Sequence, residues 1–275
     1  MRNTQSFAGP LATNALALAP AQPGHPPAPP MLLLHGAAAG AWVWDDGFAE
    51  QLNAQGFATA AFTFTRSGPD GDPAGLGDFL AEVRAALAVL GQPALLVAHS
   101  LGGLIAQRLL DEAGVLGAAL LAPVPPEGLW WSNLRLASTD FGLWRELARM
   151  SEAAGRDFPA ELAASAFAGL TPEQAAPYLR RLGDESLVAL LEAQGPQPVP
   201  PHLLHRKPVL VLGGEEDRLI PADAIARCAA WHCTLPRFLP GSGHLLMLDQ
   251  AWPEAAARVA EWGRQHSPDL ARASS

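Results

Sequence analysis

The chain has 275 residues, 49% apolar and only 16% charged, which excludes a disordered chain and supplies the core of one large domain. Lysine and arginine total 18 against 27 acidic residues; the net charge of −9 repels phosphate backbones and argues against nucleic acid as a partner. Two cysteines, Cys228 and Cys233, are too few for a disulfide framework, so both are read as idle thiols.

Residues 1–30 are rich in proline and alanine and read as an extended lead-in, with a short strand over Ala15–Ala19. Pro10, Thr13 and Asn14 interrupt the apolar stretch that a signal peptide needs, so export is not expected and the cytoplasm is the default location. "MLLL" (31–34) is a strand with a hard stop at His35-Gly36, and "FATAAFTFT" (57–65) is a second strand. Over 76–90, Leu80, Val83, Leu87 and Leu90 share one helical face. "ALLVA" (94–98) is a third strand, apolar enough for burial on both sides, and a helix follows over 101–112. "GAALLA" (117–122), "PVLVLG" (208–213) and "TLPRFL" (234–239) are further strands, and a helix from about Pro253 to Gln265 closes the core. No stretch reaches the roughly 18–20 unbroken apolar residues of a membrane span, so no membrane insertion is expected.

Strand–helix alternation of this kind predicts an α/β fold, with a mostly parallel central sheet and helices on both faces. Residues 125–205 break the rhythm: they hold no convincing strand, only helical pieces around Leu143–Ala153, Pro159–Ala168 and Glu185–Ala193. Proline clusters bound the stretch, which reads as an inserted helical cap on a core of 1–124 plus 206–275. In parallel sheets, ligands bind at the carboxyl ends of the strands.

Ala98-His99-Ser100-Leu101-Gly102-Gly103 lies at one such end. A serine on a sharp strand-to-helix turn holds its hydroxyl above the sheet, and the turn admits only small residues two positions either side, here Ala98 and Gly102. A capping serine before a helix would read similarly. Later strand ends decide between the two. A serine nucleophile needs a base and an orienting acid, in the order Ser, acid, His. "GEEDRLIP" offers Asp217, which stands deeper in its loop than the rivals Glu215 and Glu216, and "PGSGHLLML" offers His244. Backbone N–H groups of Ala37, after His35-Gly36, and of Leu101, in the first helical turn, are the expected oxyanion donors. His35 itself reads as a structural hydrogen-bonding residue. Such a base works neutral, so activity should fall as pH drops through about 6–7.

His35-Gly36, the Ala98–Gly103 turn, "GGEEDRLIP" and "GSGH" together resemble the α/β-hydrolase superfamily over roughly residues 30–265, in its cap-containing type. The stretch "HGAAAGAWVW" is similar to the corresponding loop of methyl esterases and hydroxynitrile lyases. The resemblance implies hydrolysis of an ester, thioester or lactone through an acyl-enzyme on Ser100. Absence of an "HGGG" run disfavours one lipase subset, and a serine in place of aspartate disfavours the dehalogenases and epoxide hydrolases of the fold. Other chemistry on the same triad (C–C hydrolysis, hydroxynitrile cleavage, perhydrolysis) and a non-catalytic small-ligand receptor are the alternatives.

Trp42, Trp130, Trp131 and Trp144 are the candidate pocket walls for a small, largely apolar acyl substrate. The cap has no lysine or arginine cluster, so a strongly anionic substrate is not favoured. His202 and His205 lack further ligands at metal spacing, and no dinucleotide or phosphate-loop glycine pattern is present, so neither metal nor cofactor is expected.

Overall fold

A computed structural model describes residues 3–6, 15–68, 70–148 and 160–273. Its strands are β1 (Asn3–Ser6), β2 (Ala15–Ala19), β3 (Met31–Leu34), β4 (Thr59–Ala61), β5 (Ala94–His99), β6 (Val115–Leu121), β7 (Val209–Gly214) and β8 (Pro236–Leu239). The first helices are α1 (Phe48–Ala54), α2 (Leu76–Leu90) and α3 (Ser100–Arg108). Between β6 and β7 come α4 (Trp130–Thr139), α5 (Phe141–Ala148), α6 (Ala160–Ala166), α7 (Pro172–Leu179), α8 (Leu187–Glu192) and α9 (His202–His205). The last two are α10 (Ala222–Trp231) and α11 (Trp252–Ala273). The parts of the expected helical pieces at 149–153 and 159, and the Pro10, Thr13 and Asn14 interruption, lie outside the described residues.

One sheet carries all eight strands in the order β1-β2-β4-β3-β5-β6-β7-β8. Pairing is antiparallel for β1 with β2 and β2 with β4, and parallel from β4 onward. Alternation along β3 shows why both faces are covered. Leu32 and Leu34 enter the core beneath α2, α3 and α10, whereas Met31 and Leu33 enter the opposite core with Trp44, Phe48 and α11. A third, smaller cluster of Leu136, Leu143 and Leu162 holds α4, α5 and α6 together.

The strand expected over 57–65 is confined to Thr59–Ala61. Beyond it the backbone donors find side-chain acceptors instead of a neighbouring strand. The Phe64 N–H donates to His35 Nε2 at 2.9 Å, and the Thr65 N–H to the Glu82 carboxylate at 3.1 Å. The two phenylalanines, Phe62 and Phe64, remain buried. Cys228 is buried, Cys233 is exposed, and they do not pair. Among the described residues, no helix is long and apolar enough to cross a membrane.

Candidate active site

The turn from β5 into α3 puts Ser100 at the first position of the helix with φ of +49°, in the left-handed region that L-residues avoid. Close packing around the turn makes that conformation possible. A Cβ on Gly102 would sit 2.8 Å from the Leu34 carbonyl oxygen and closer still to that of His35. One on Gly36 would lie 2.6 Å from His99 Nδ1. The two glycines thus let β3 and the head of α3 approach to backbone distance.

His244 reaches Ser100 from the loop after β8. Its Nδ1–H donates to Asp217 Oδ2 at 2.7 Å, and the Ser100 hydroxyl donates to its Nε2 at 3.0 Å. A carboxylate can only accept, so Asp217 fixes the tautomer and leaves Nε2 free to take a proton. The other carboxylate oxygen of Asp217 accepts from the Leu219 and Ile220 N–H groups at 2.8 and 3.0 Å. Glu215 and Glu216, the rival acids, are exposed. Ser100, Asp217 and His244 are themselves only 8%, 5% and 8% exposed.

Ala37 and Leu101 line the same cavity as Ser100. The Leu101 N–H lies in the first turn of α3, where a helix offers no internal acceptor. The peptide joining Gly36 to Ala37 is oriented by His35, whose Nδ1–H donates to the Gly36 carbonyl at 2.7 Å. Because a trans peptide is planar, that bond turns the Ala37 N–H the opposite way. Both nitrogens of His35 are therefore occupied, and burial pushes its imidazole down to about 4, so it stays neutral.

The cavity above Ser100 is about 610 Å³ and mostly apolar. Trp130 and Trp144 stand in its wall with Leu134, Leu147, Leu162 and Leu190. Asn133 and Gln194 also face it, with the Asn133 amide donating to Gln194 Oε1 at 2.6 Å, and among the described residues no lysine or arginine lines it. Trp42 and Trp131 lie elsewhere. Trp130 faces the Ser100 cavity, and its helical neighbour, turned about 100° from it, does not. Trp131 faces a separate surface groove with Arg135, Arg227 and Trp231. Trp42 packs toward the core on the α11 side, with the Arg181 guanidinium 4.3 Å above its ring.

Three buried polar side chains that hold backbone around the site gave no local sequence signal. His99 donates from Nε2 to the His244 carbonyl at 3.0 Å; burial, and then the neighbouring His244, hold it well below the usual imidazole range. Asp249, fully buried, accepts from the N–H groups of Gly243, Ala168 and Gly169 at 2.7–3.0 Å and so ties the His244 loop to the α6–α7 connection. Glu185 accepts from the Ala38 N–H at 2.9 Å.

A family model described as "Alpha/beta hydrolase family" matches residues 31–262. No curated protein matches the chain in sequence. Among solved structures, the chain is similar to a thermophilic esterase from Thermogutta terrifontis, at 18% identity and a TM-score of 0.67, over 97% of this chain and 99% of that one. It is also similar to a proline iminopeptidase-related protein of Thermus thermophilus, at 24% identity and 0.70, over 98% and 99%. A third is the Paleococcus ferrophilus monoacylglycerol lipase, at 19% and 0.62, over 92% and 99%. At these identities the shared property is the fold.

Proposed function

The chain belongs to the alpha/beta hydrolase family, and on that premise we propose that it is a serine hydrolase of the carboxylesterase kind. Its substrate is a small, largely apolar ester, lactone or thioester. The observation that carries this reading is the hydrogen-bonded chain from Ser100 through His244 to Asp217, opening on an apolar cavity.

Ser100 Oγ attacks the acyl carbonyl while its proton passes to His244 Nε2. The carbonyl π pair moves onto oxygen, and the oxyanion is received by the N–H groups of Ala37 and Leu101. Collapse breaks the bond to the leaving group, which takes the proton back from His244, and Ser100 is left acylated. Water then attacks, gives a proton to His244, and releases the acid as that proton returns to Ser100. Asp217 keeps the imidazole oriented throughout and supports its positive charge.

Residues 125–205 serve as a cap on the core formed by 1–124 and 206–275. Support comes from α4, α5 and α6, whose side chains make up much of the wall opposite the sheet. That wall selects the acyl or alcohol group by size and apolarity and limits water access above Ser100.

Labelling with a fluorophosphonate tests the assignment. Oγ displaces fluoride from phosphorus, and the adduct mimics the tetrahedral intermediate. The wild-type protein should label and hydrolyse p-nitrophenyl esters. Ser100→Ala should lose labelling and about 10⁴-fold or more of its turnover. Equal labelling of both proteins would mean that another residue is the nucleophile.

A further inference from the structure

The turn that carries Ala37 is held by two different parts of the molecule. From the sheet side, His35 holds the Gly36 carbonyl, as described. The next three peptides are held from elsewhere. The Ala38 N–H donates to Glu185 Oε2 at 2.9 Å, and the Ala38 carbonyl accepts from the Gly183 N–H at 2.8 Å. The Ala39 carbonyl accepts from Arg66 Nη2 at 2.8 Å. Both backbone groups of Ala38 are thus taken by a three-residue segment between α7 and α8, about 145 positions further along the chain.

Ala38 is the residue in most need of such a hold. Its φ is +60°, a left-handed conformation that alanine adopts at a cost and leaves by rotating the neighbouring peptide planes. The peptide that would turn is the one between Ala37 and Ala38, whose N–H is on Glu185. Rotation there swings Ala37 relative to Ser100. The Glu185 side chain is buried, its Oε1 accepts from the Ser186 N–H at 2.7 Å, and Arg66 Nε lies 4.0 Å from that same oxygen. A carboxylate held at both oxygens is a stiff acceptor, and its bond to a backbone N–H is of the stronger, charge-assisted kind.

We infer that Glu185 is a positioning residue for the oxyanion site: it locks the Ala37–Ala38 peptide so that the Ala37 N–H stays aimed at the reacting oxygen. The inserted helices then contribute to the chemical step as well as to the pocket wall. This inference rests on the proposed hydrolase reading and on Ala37 as a donor.

The test compares Glu185→Ala, Glu185→Asp and Glu185→Gln with wild type. The readouts are kcat and KM on p-nitrophenyl esters, the rate constant of fluorophosphonate labelling, and the melting temperature, with active sites counted by exhaustive labelling. Removal of an oxyanion donor costs about 10²–10³ in turnover, so Glu185→Ala should lose roughly 10²-fold in kcat with KM nearly unchanged. The labelling rate should fall by the same factor. Glutamine keeps an acceptor oxygen at the same reach and should restore kcat to within about tenfold. Aspartate keeps the charge but falls one methylene short, and should resemble alanine. Should the alanine variant not fold, the aspartate–glutamine contrast carries the same test. A lower melting temperature with kcat per active site unchanged would make Glu185 merely structural, and a rise in KM alone would make it a substrate contact. Either result overturns the inference. If wild type itself shows no Ser100-dependent labelling, the hydrolase reading has failed instead.

Discussion

On the sheet side of the Ser100 cavity the wall is mostly closely packed backbone; on the side of the helices between β6 and β7 it is mostly side chains. The sheet wall is built largely from peptide groups in close approach: the β5–α3 turn against β3, the His35-Gly36 corner, and the His244 loop, whose carbonyl accepts from His99. A Cβ added at Gly36 or Gly102 would collide with the Ser100 turn or with the β3 end. The opposite wall consists of Trp130, Leu134, Trp144, Leu147 and Leu162, of which Trp130 is 60% exposed. Side chains of that kind can change size while the backbone stays in place. On the proposed hydrolase reading the difference separates two tasks: chemistry is fixed by the closely packed backbone, and selectivity sits in the side chains of the opposite wall.

Substitutions on the sheet side should therefore damage the reaction itself. Gly102→Ala drives a methyl into the Leu34 and His35 carbonyls. Displacing the Leu101 N–H should cost roughly 10²–10³ in kcat/KM, and overpacking about 1–3 kcal/mol of stability. Steady-state kinetics and a urea melt read both. Wild-type activity in this variant would mean that the turn is looser than its geometry implies.

The same wall should also be sensitive to acid. Burial lowers the His35 imidazole from 6.5 to about 4, so the unfolded chain binds the extra proton first. The stabilisation is complete above pH 6.5 and is lost as pH falls toward 4, by roughly 3 kcal/mol for this residue. His99, His205 and His232, all lowered by burial, act in the same direction. In urea titrations, the stability difference between wild type and His35→Gln should shrink by about that amount between roughly pH 7 and pH 4. A constant difference would contradict a neutral, buried His35.

Changes among the apolar side chains of the helical wall, Glu185 apart, should alter preference and spare the chemistry. Trp144→Ala enlarges the cavity beside Leu147 and Leu162. In competition between short and long p-nitrophenyl esters, the kcat/KM ratio should move toward the longer chain by about tenfold or more. Trp42→Ala and Trp131→Ala, outside the cavity, should leave that ratio within roughly twofold. A large shift from either would place the selective surface elsewhere.

The regular elements were legible because their signals are local. β2, β3 and α2 fall where the apolar spacing put them. The Ser100 turn, Asp217 and His244 were legible because each follows a strand in a fixed order. α7 went unread although Thr171, Pro172 and Gln174 spell a capping box with proline at the helix start. Pairing the tryptophans by their adjacency in sequence put Trp131 beside Trp130, yet Trp130 faces the cavity and Trp131 a separate groove. Glu185, Asp249 and His99 were not readable, for each holds a backbone group far along the chain, 147, 81 and 145 residues away. Contacts of that span exist only after the sheet and the inserted helices have met.

The most direct measurement is an acid quench during p-nitrophenyl butyrate turnover, followed by mass mapping of the peptides. The account predicts a butyryl ester on the peptide bearing Ser100, formed in wild type and absent from Ser100→Ala. Turnover that persists in Ser100→Ala, or an acyl group found on any other residue, would contradict it.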